Sequence, residues 1–306
     1  MQKIVILGGG ISAEREISLL TSQTIKSALE SDEMSVEILD PADYTDWTSM
    51  ISHLMSVQPE MIFMGLHGAA GEDGSLQKLL ETHNLPFTGS GSEACKLAMD
   101  KKAALDLATH LNIPVAAHVY LHKAEIFTEE EIINTTELPL VVKPNSSGSS
   151  VGINIVEKKE DLGAALINAW QYEDNLLCEK FIPGRELTVT ILADKALPVV
   201  EIKPLNGWYD YANKYTHGNT EYICPAELTE MEQSTVQNHA LEIFHKMGCA
   251  VYSRIDFRYD GEKFYFLEVN TLPGMTALSL TPMAAKAIGL DLRALLSEII
   301  NLSKQK

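Results

Sequence analysis

The stretch from Arg254 to Ser279, RIDFRYDGEKFYFLEVNTLPGMTALS, constrains this chain more than any other. Two β-like runs flank Asp260-Gly261, a pattern that reads as a β-hairpin. Arg254 and Asp256 lie on the first run, Glu268 and Asn270 on the second. Side chains alternate along a strand, so Glu268 and Asn270 share a face. Two oxygen donors on one strand and a carboxylate on its neighbour suit Mg²⁺, a hard cation that takes carboxylates together with substrate phosphates. The competing reading is a plain exposed acidic face. Register separates the two. A two-residue Asp-Gly turn pairs 259 with 262 and sends Asp256 and Glu268 to opposite faces. An odd loop over 260–262 with a bulge sets Asp256 opposite Phe266 and diagonal to Glu268. The metal reading therefore predicts an odd loop. Leu272-Pro273-Gly274-Met275 follows as a turn whose backbone N–H groups can meet a charged ligand.

The charge balance of 24 basic against 42 acidic residues, net −18, argues against nucleic acid and anionic membranes as partners. An anionic ligand needs a local cluster of lysines and arginines instead. Cys95, Cys178, Cys224 and Cys249 form no C-x-x-C pair, which argues against zinc and a disulfide framework and suits a reducing cytosol. The apolar run in MQKIVILGGG is too short for a signal-peptide core, and no later run reaches membrane-span length. The reading is a cytoplasmic protein of two or three domains in 306 residues.

Residues 1–89 alternate strand and helix: KIVIL, SVEIL and MIFMGL read as buried strands separated by helical spacing at Ile17, Leu20, Ile25 and Leu29. Such alternation implies a parallel sheet with helices on its faces, and ligands beyond the carboxyl ends of its strands. Gly8 to Glu14 and His67-Gly68 fall there. The triple glycine lacks the third glycine of a dinucleotide fingerprint, since Ala13 takes its place, and only Asp40 offers a ribose acid. The glycines otherwise admit a small ligand close to the backbone, with Ser12 as N-cap and Glu14 in the first helical turn, where Glu14 also suits the helix dipole alone. Residues 90–179 read as two helices, then a small α+β unit whose loop, Lys143 to Gly152, lies between strands. That placement excludes a Walker A loop but allows a flexible cover over phosphates, or simply a surface hairpin. Residues 180–306 hold two more strands, an irregular stretch over 206–220 with the composition of a lid, a helix from Thr229 to Met247, the hairpin and two terminal helices.

In chain order these pieces resemble the D-alanine–D-alanine ligases of the ATP-grasp superfamily. The resemblance rests on GGxSAEREIS at 9–18, LHGxxGEDG at 66–74, MDK at 99–101, KPxxxGSSVG at 143–152, EKFIPGRELTV at 179–189, YDYxxKY at 209–215 and RIDF…LEVNTLPGMT…S at 254–279. It implies an α/β fold, α+β in the ATP-binding part: three domains, with an N-terminal parallel-sheet domain (1–89), a central ATP-grasp subdomain (90–179) and a C-terminal one (180–306) carrying the lid. It also implies that ATP phosphorylates the carboxylate of one D-alanine and that the amine of a second displaces phosphate. Lys101, Lys143 and Lys214 are then phosphate contacts, joined at the nucleotide by Ser149, Ser150 and Trp208. Lys180 and Ile182 border the adenine, while Glu179 and Glu186 take its amino group and the ribose hydroxyls. Asp256, Glu268 and Asn270 hold two Mg²⁺ ions, with Mn²⁺ as a substitute. Arg254 and the Gly274 N–H stabilise the oxyanion; Glu14 binds the ammonium of the first D-alanine, His67 lies near it, and Ser279 holds the second carboxylate. Ser149 and Tyr215 link to Glu14 and close the lid over a water-sensitive intermediate. A homodimer is also implied.

The sequence departs from the family pattern at Gly8, where an aliphatic residue or Phe is common and a looser turn is expected, and at Ala69-Ala70, Trp208 and Leu278. The rival activities are D-alanine–D-lactate ligation, against which Tyr215 speaks, and another carboxylate–amine ligation in the superfamily. A nucleotide-binding regulatory module would lack the metal and oxyanion residues, all of which are present, and a nicotinamide dehydrogenase would need the fingerprint that is missing.

Overall fold

A computed structural model of the chain describes residues 2–148, 151–205, 207, 208, 213 and 218–306. It begins with β1 (Gln2–Leu7), α1 (Arg15–Leu29), β2 (Met34–Leu39), α2 (Trp47–Val57), β3 (Met61–Met64), α3 (Ala69–Glu72) and α4 (Ser75–Thr82). The three strands are parallel in the order β2-β1-β3. Both faces of the sheet are covered, which is why the strands read as unbroken apolar runs. Ile4, Ile6 and Phe63 pack toward Ile25 and Leu29 of α1, whereas Val5, Leu7, Ile62 and Met64 pack toward Met50 and Leu54 of α2 and Leu76 and Leu80 of α4.

Next come α5 (Ser92–Met99), α6 (Lys101–His110), β4 (His118–His122), α7 (Glu129–Thr136), β5 (Leu140–Pro144), β6 (Asn154–Val156), α8 (Leu162–Ala169) and β7 (Asn175–Lys180). These strands form an antiparallel sheet ordered β4-β7-β5-β6. Ile132 of α7 and Leu162 and Leu166 of α8 share a core with Leu121, Leu140, Val142 and Leu176 of the strands. The helices α5 and α6 do not join that core. Their Ala94, Ala98, Ala104, Leu105 and Ala108 pack instead on the third sheet.

That sheet comprises β8 (Arg185–Leu192), β9 (Lys195–Ala196), β10 (Val200–Pro204), β11 (Thr220–Ile223), β12 (Tyr252–Tyr259) and β13 (Phe264–Asn270), ordered β11-β10-β8-β12-β13 with β9 beside β8. The chain also forms α9 (Glu230–Lys246), α10 (Leu280–Ala287) and α11 (Leu292–Ser303). Thr229 caps α9 in a reciprocal pair with Glu232, which satisfies two of the backbone donors orphaned at a helix start. One face of the third sheet is apolar: Leu187, Val189, Ile255, Phe257, Phe266 and Val269 meet α5, α6 and α9. Leu295, Leu296, Ile299 and Ile300 of α11 share a core with Ile4 of the first sheet and Ile25 of α1.

Three local expectations are corrected. The hairpin loop is even, because Tyr259 pairs with Phe264 across Asp260–Lys263. Asp260 Oδ1 accepts the N–H groups of Glu262 and Lys263, each at 2.8 Å, and so stabilises the longer turn. A bulge then does what an odd loop would have done: Phe257 pairs with Phe266, Leu267 is skipped, and Asp256 stands directly opposite Glu268 rather than diagonal to it. Second, α1 starts at Arg15 with Glu14 itself in the N-cap position; Ser12 Oγ accepts from the Glu14 N–H (3.2 Å) and donates to the His67 carbonyl (2.8 Å). Third, Gly8 does not loosen its turn. A Cβ there would overlap Ser22 Oγ on α1, so glycine permits a closer approach of strand and helix than a side chain allows.

Candidate active site

The polar face of the third sheet carries the chemistry. Because its inward residues alternate with Ile255 and Val269, Arg254 and Asp256 on β12 lie beside Asn270 and Glu268, their respective partners on β13. Arg254 grips Asp256 with two bonds, Nε to Oδ1 and Nη2 to Oδ2, both 3.0 Å. Thr188, on the neighbouring β8, donates to Asp256 Oδ1 at 2.5 Å. Asn270 Oδ1 accepts the Leu272 N–H at 3.0 Å and so shapes the turn after the hairpin. Among the described residues no group of three or more His, Cys, Asp and Glu side chains is arranged to hold a metal ion. Two carboxylates and one amide oxygen on a single strand pair are nevertheless the donor set of a hard divalent cation that completes its shell with water and phosphate oxygens. The residues present fit Mg²⁺.

One lysine faces this patch, and a second is paired within the central sheet. Lys101, the first residue of α6, is nearly buried; its Nζ donates to the Ser147 carbonyl (2.8 Å) and lies 3.4 Å from Glu268 Oε2. Lys143, on β5, forms an ion pair with Glu179 on β7, and both side chains are buried. Among these described groups a chain of net charge −18 thus gathers three cations, Lys101, Lys143 and Arg254, each held by a carboxylate. Anions that displace or bridge these partners would find preformed positive charge. The Ser/Gly loop leaves β5 with its root pinned by Glu173, whose Oε2 accepts the Ser146 N–H at 2.7 Å.

The carboxyl ends of the parallel strands meet this region from the other side. Glu14 lies close to Gly68, where a Cβ would come to 2.5 Å from Glu14 Oε2. A Cβ on Gly148 would stand 3.9 Å from the same oxygen and 3.8 Å from Glu72 Oε2, so Gly148 lies near both acids. His67 sits between Thr21 (Oγ1 to Nε2, 3.1 Å) and Glu72 (Oε1 to Nδ1, 3.7 Å). The Gly274 position is 2.9 Å from Ser279 Oγ and 3.9 Å from His67 Cε1, again measured from a built Cβ. Ser279 Oγ accepts the Thr276 N–H at 3.0 Å and precedes α10. Gly68 also has φ +69°, which disfavours any side chain. Gly68→Ala is therefore expected to push Glu14 aside and to cut kcat/KM for the first substrate about 10²-fold, the cost of a misplacement near 1 Å. Steady-state kinetics would check this, and unchanged KM and kcat would remove Glu14 from substrate binding.

The structure thus brings together Glu14, His67, Lys101, Arg254, Asp256, Glu268, Asn270, Gly274 and Ser279, with Lys143 and Glu179 as a buried pair on the central sheet. Lys180, Ile182 and Glu186 lie beyond Glu179, on β7, the turn after it and β8; Lys180 pairs with Glu137 (2.5 Å) and Glu186 with Arg258 (3.3 Å). Trp208 is half-buried, and its carbonyl accepts from Asn213 Nδ2 at 2.7 Å. Ser149, Ser150, Lys214 and Tyr215 lie outside the described residues. Four polar residues at the site escaped sequence reasoning: Glu72, Asp100, Asn145 and Thr188. Glu72, Asp100 and Thr188 stand inside the matched segments 66–74, 99–101 and 179–189, and Asn145 at an unspecified position of 143–152, so membership of those segments is their only signal.

The chain is similar over its length to several known proteins. The family model described as D-ala D-ala ligase C-terminus matches residues 107–301. The D-alanine–D-alanine ligase of Syntrophotalea carbinolica is 40% identical over 300 residues, covering 98% of this chain and 95% of that protein. Among solved structures, the Bacillus anthracis D-alanine–D-alanine ligase complexed with ATP superposes with a TM-score of 0.85 at 28% identity, over 100% of this chain and 98% of that one. The VanG D-Ala:D-Ser ligase of Enterococcus faecalis gives 0.83 at 28% identity over 99% of each chain.

Proposed function

The chain belongs to the D-alanine–D-alanine ligases, an ATP-dependent enzyme family with the ATP-grasp fold, and on that premise we propose how its residues divide the reaction. The activity is ATP-dependent joining of two D-alanines for peptidoglycan precursor synthesis. A carboxylate oxygen is a poor leaving group, so the first D-alanine must be phosphorylated before an amine can displace it. Phosphoryl transfer asks for positioning and charge neutralisation more than covalent help. Lys101 and Lys143 would supply both, with Lys214 as a third contact from the segment over 206–220. Asp256, Glu268 and Asn270 would hold Mg²⁺, which neutralises phosphate charge when bound. Glu179, Lys180, Ile182 and Glu186 lie along one run toward the base and ribose, with Ser149, Ser150 and Trp208 covering the nucleotide.

Glu14 offers a carboxylate to the ammonium of the first D-alanine, beside His67. Arg254 and the Gly274 N–H would stabilise the oxyanion formed when the second amine attacks, a contribution of roughly 3–4 kcal/mol per donor in comparable holes. Ser279, next to Gly274, is placed to hold the second carboxylate. Ser149 and Tyr215 would link to Glu14 and keep water from the acyl phosphate. The observation that carries this reading is the convergence of the Gly68, Gly148 and Gly274 turns on Glu14, His67 and Ser279 beside the lysine and carboxylate patch.

Release of ADP from ATP and Mg²⁺ with D-alanine, and none with L-alanine, tests the assignment. D-lactate and D-serine belong in the same assay, since a D-Ala:D-Ser ligase is among the similar structures. Tyr215 supports D-alanine as second substrate over D-lactate, and preferential use of D-lactate across neutral to alkaline pH would overturn that choice. We place the enzyme in the cytoplasm as a homodimer. No described helix is long and apolar enough to cross a membrane, and burial pushes the Cys95 and Cys178 thiols up to about 12, which leaves them unreactive. Sedimentation at working concentration would test the dimer.

A further inference from the structure

We propose that Asp100 and Asn145 are positioning residues that align the phosphate lysines Lys101 and Lys143 with each other; the proposal rests on the reading of those lysines as nucleotide contacts. Lys101 opens α6, a helix packed on the third sheet, whereas Lys143 lies two residues before Asn145 at the end of β5 in the central sheet. Two separately packed elements must therefore hold their ammonium groups in register around one polyphosphate.

Asn145 is the joint between them. It is 3% exposed and uses both backbone groups and both side-chain polar atoms. Its carbonyl accepts the Lys101 N–H (3.2 Å) and its Oδ1 the Lys102 N–H (2.9 Å), two of the helix-start donors that lack partners within α6. Its N–H donates to the Asn175 carbonyl (3.0 Å), and its Nδ2 to Asp100 Oδ1 (2.9 Å). Asp100 closes α5, opens α6 and accepts the Ala103 N–H at 3.1 Å. Two residues past the joint, the Ser147 carbonyl receives Lys101 Nζ. The loop root, both lysines and the helix start are thus tied through one part-buried amide–carboxylate contact. Neither residue reaches the reacting atoms; each acts through the lysines.

The Asp100–Asn145 pair is reversible in chemistry, and that supplies the test. Asn145→Asp sets a carboxylate against Asp100, whereas Asp100→Asn with Asn145→Asp restores one amide and one carboxylate, each still able to accept the helix N–H groups. We would measure KM for ATP, KM for D-alanine and the thermal midpoint for both variants, with Asn145→Ser as a milder change and Lys101→Ala as reference. The expected result is an ATP KM raised about tenfold in Asn145→Asp, as loss of one charged hydrogen bond implies, with D-alanine KM little changed. The swapped pair should regain most of that loss. A lowered midpoint with unchanged ATP KM in both Asn145→Asp and Asn145→Ser would overturn the proposal and leave the pair a structural cap. If Lys101→Ala itself leaves ATP KM unchanged, the assignment of the lysine fails first, a result distinct from failure of the joint.

Discussion

Lys143→Met is expected to lower the unfolding free energy by about 3–5 kcal/mol and, separately, to weaken ATP binding. Lys143 and Glu179 stand diagonally on adjacent strands: Lys143 pairs with Leu177 and Val141 with Glu179, so both side chains share one face. Their side chains are only 8% and 6% exposed. An ion pair so far from water gives back in attraction much of what its desolvation costs, but removing one partner leaves the other charge buried alone. Methionine fills much of the lysine volume, so the loss would come from charge rather than a cavity. The double variant Lys143→Met with Glu179→Leu should therefore recover stability, since an apolar pair of similar volume is often neutral or better. It should not recover ATP binding. Urea unfolding reads the first effect and calorimetric titration with ATP the second. A single variant as stable as the wild type would mean the pair is solvated, and a double variant that binds ATP normally would remove Lys143 from the phosphate contacts.

Much of this architecture was legible in the sequence because its signals are local. The buried parallel strands, the Thr229 cap of α9 with its Glu232 partner, the hairpin and the two terminal helices all follow from periodicity and capping within a few residues. What escaped was set by distant neighbours. The short strand HVYLH of β4 lies at a sheet edge with only Leu121 buried, so it lacks an apolar run. The helices 92–110 show an apolar stripe, but no local feature says that it meets the third sheet rather than the strands that follow it. The bulge at Leu267 has no mark either; the residue reads like any strand position, and only pairing of Asp256 with both Thr188 and Glu268 reveals it. The site divides in the same way. The matched segments contain Asp100, Asn145 and Thr188 as well as the recognised residues, but no local feature says that Asn145 meets Asp100, 45 residues away, or that Thr188 meets Asp256, 68 residues away.

The hairpin gives the sharpest test of the remaining chemistry. Glu268→Gln is expected to reduce D-alanine-dependent ADP release about 10²–10³-fold, the range that several kcal/mol of charge stabilisation implies. Glutamine keeps the shape and one oxygen but removes the charge that faces Asp256 across the strands and Lys101 at 3.4 Å. Loss of activity alone would not separate a metal role from a disturbed lysine, so Mn²⁺ retention in the presence of ATP, read by electron paramagnetic resonance, is the second measurement. Glu262→Gln serves as the control, because Glu262 is exposed in the loop of the same hairpin and removes the same charge without facing Asp256. If the carboxylates form the cation site, Mn²⁺ retention falls in Glu268→Gln and stays normal in Glu262→Gln. If both variants retain Mn²⁺ equally well while Glu268→Gln loses activity, Glu268 acts through Lys101 and the cation is held elsewhere. If neither property changes, the bulge that sets Asp256 opposite Glu268 serves sheet packing alone, with Asp256 a buried partner of Arg254 and Thr188.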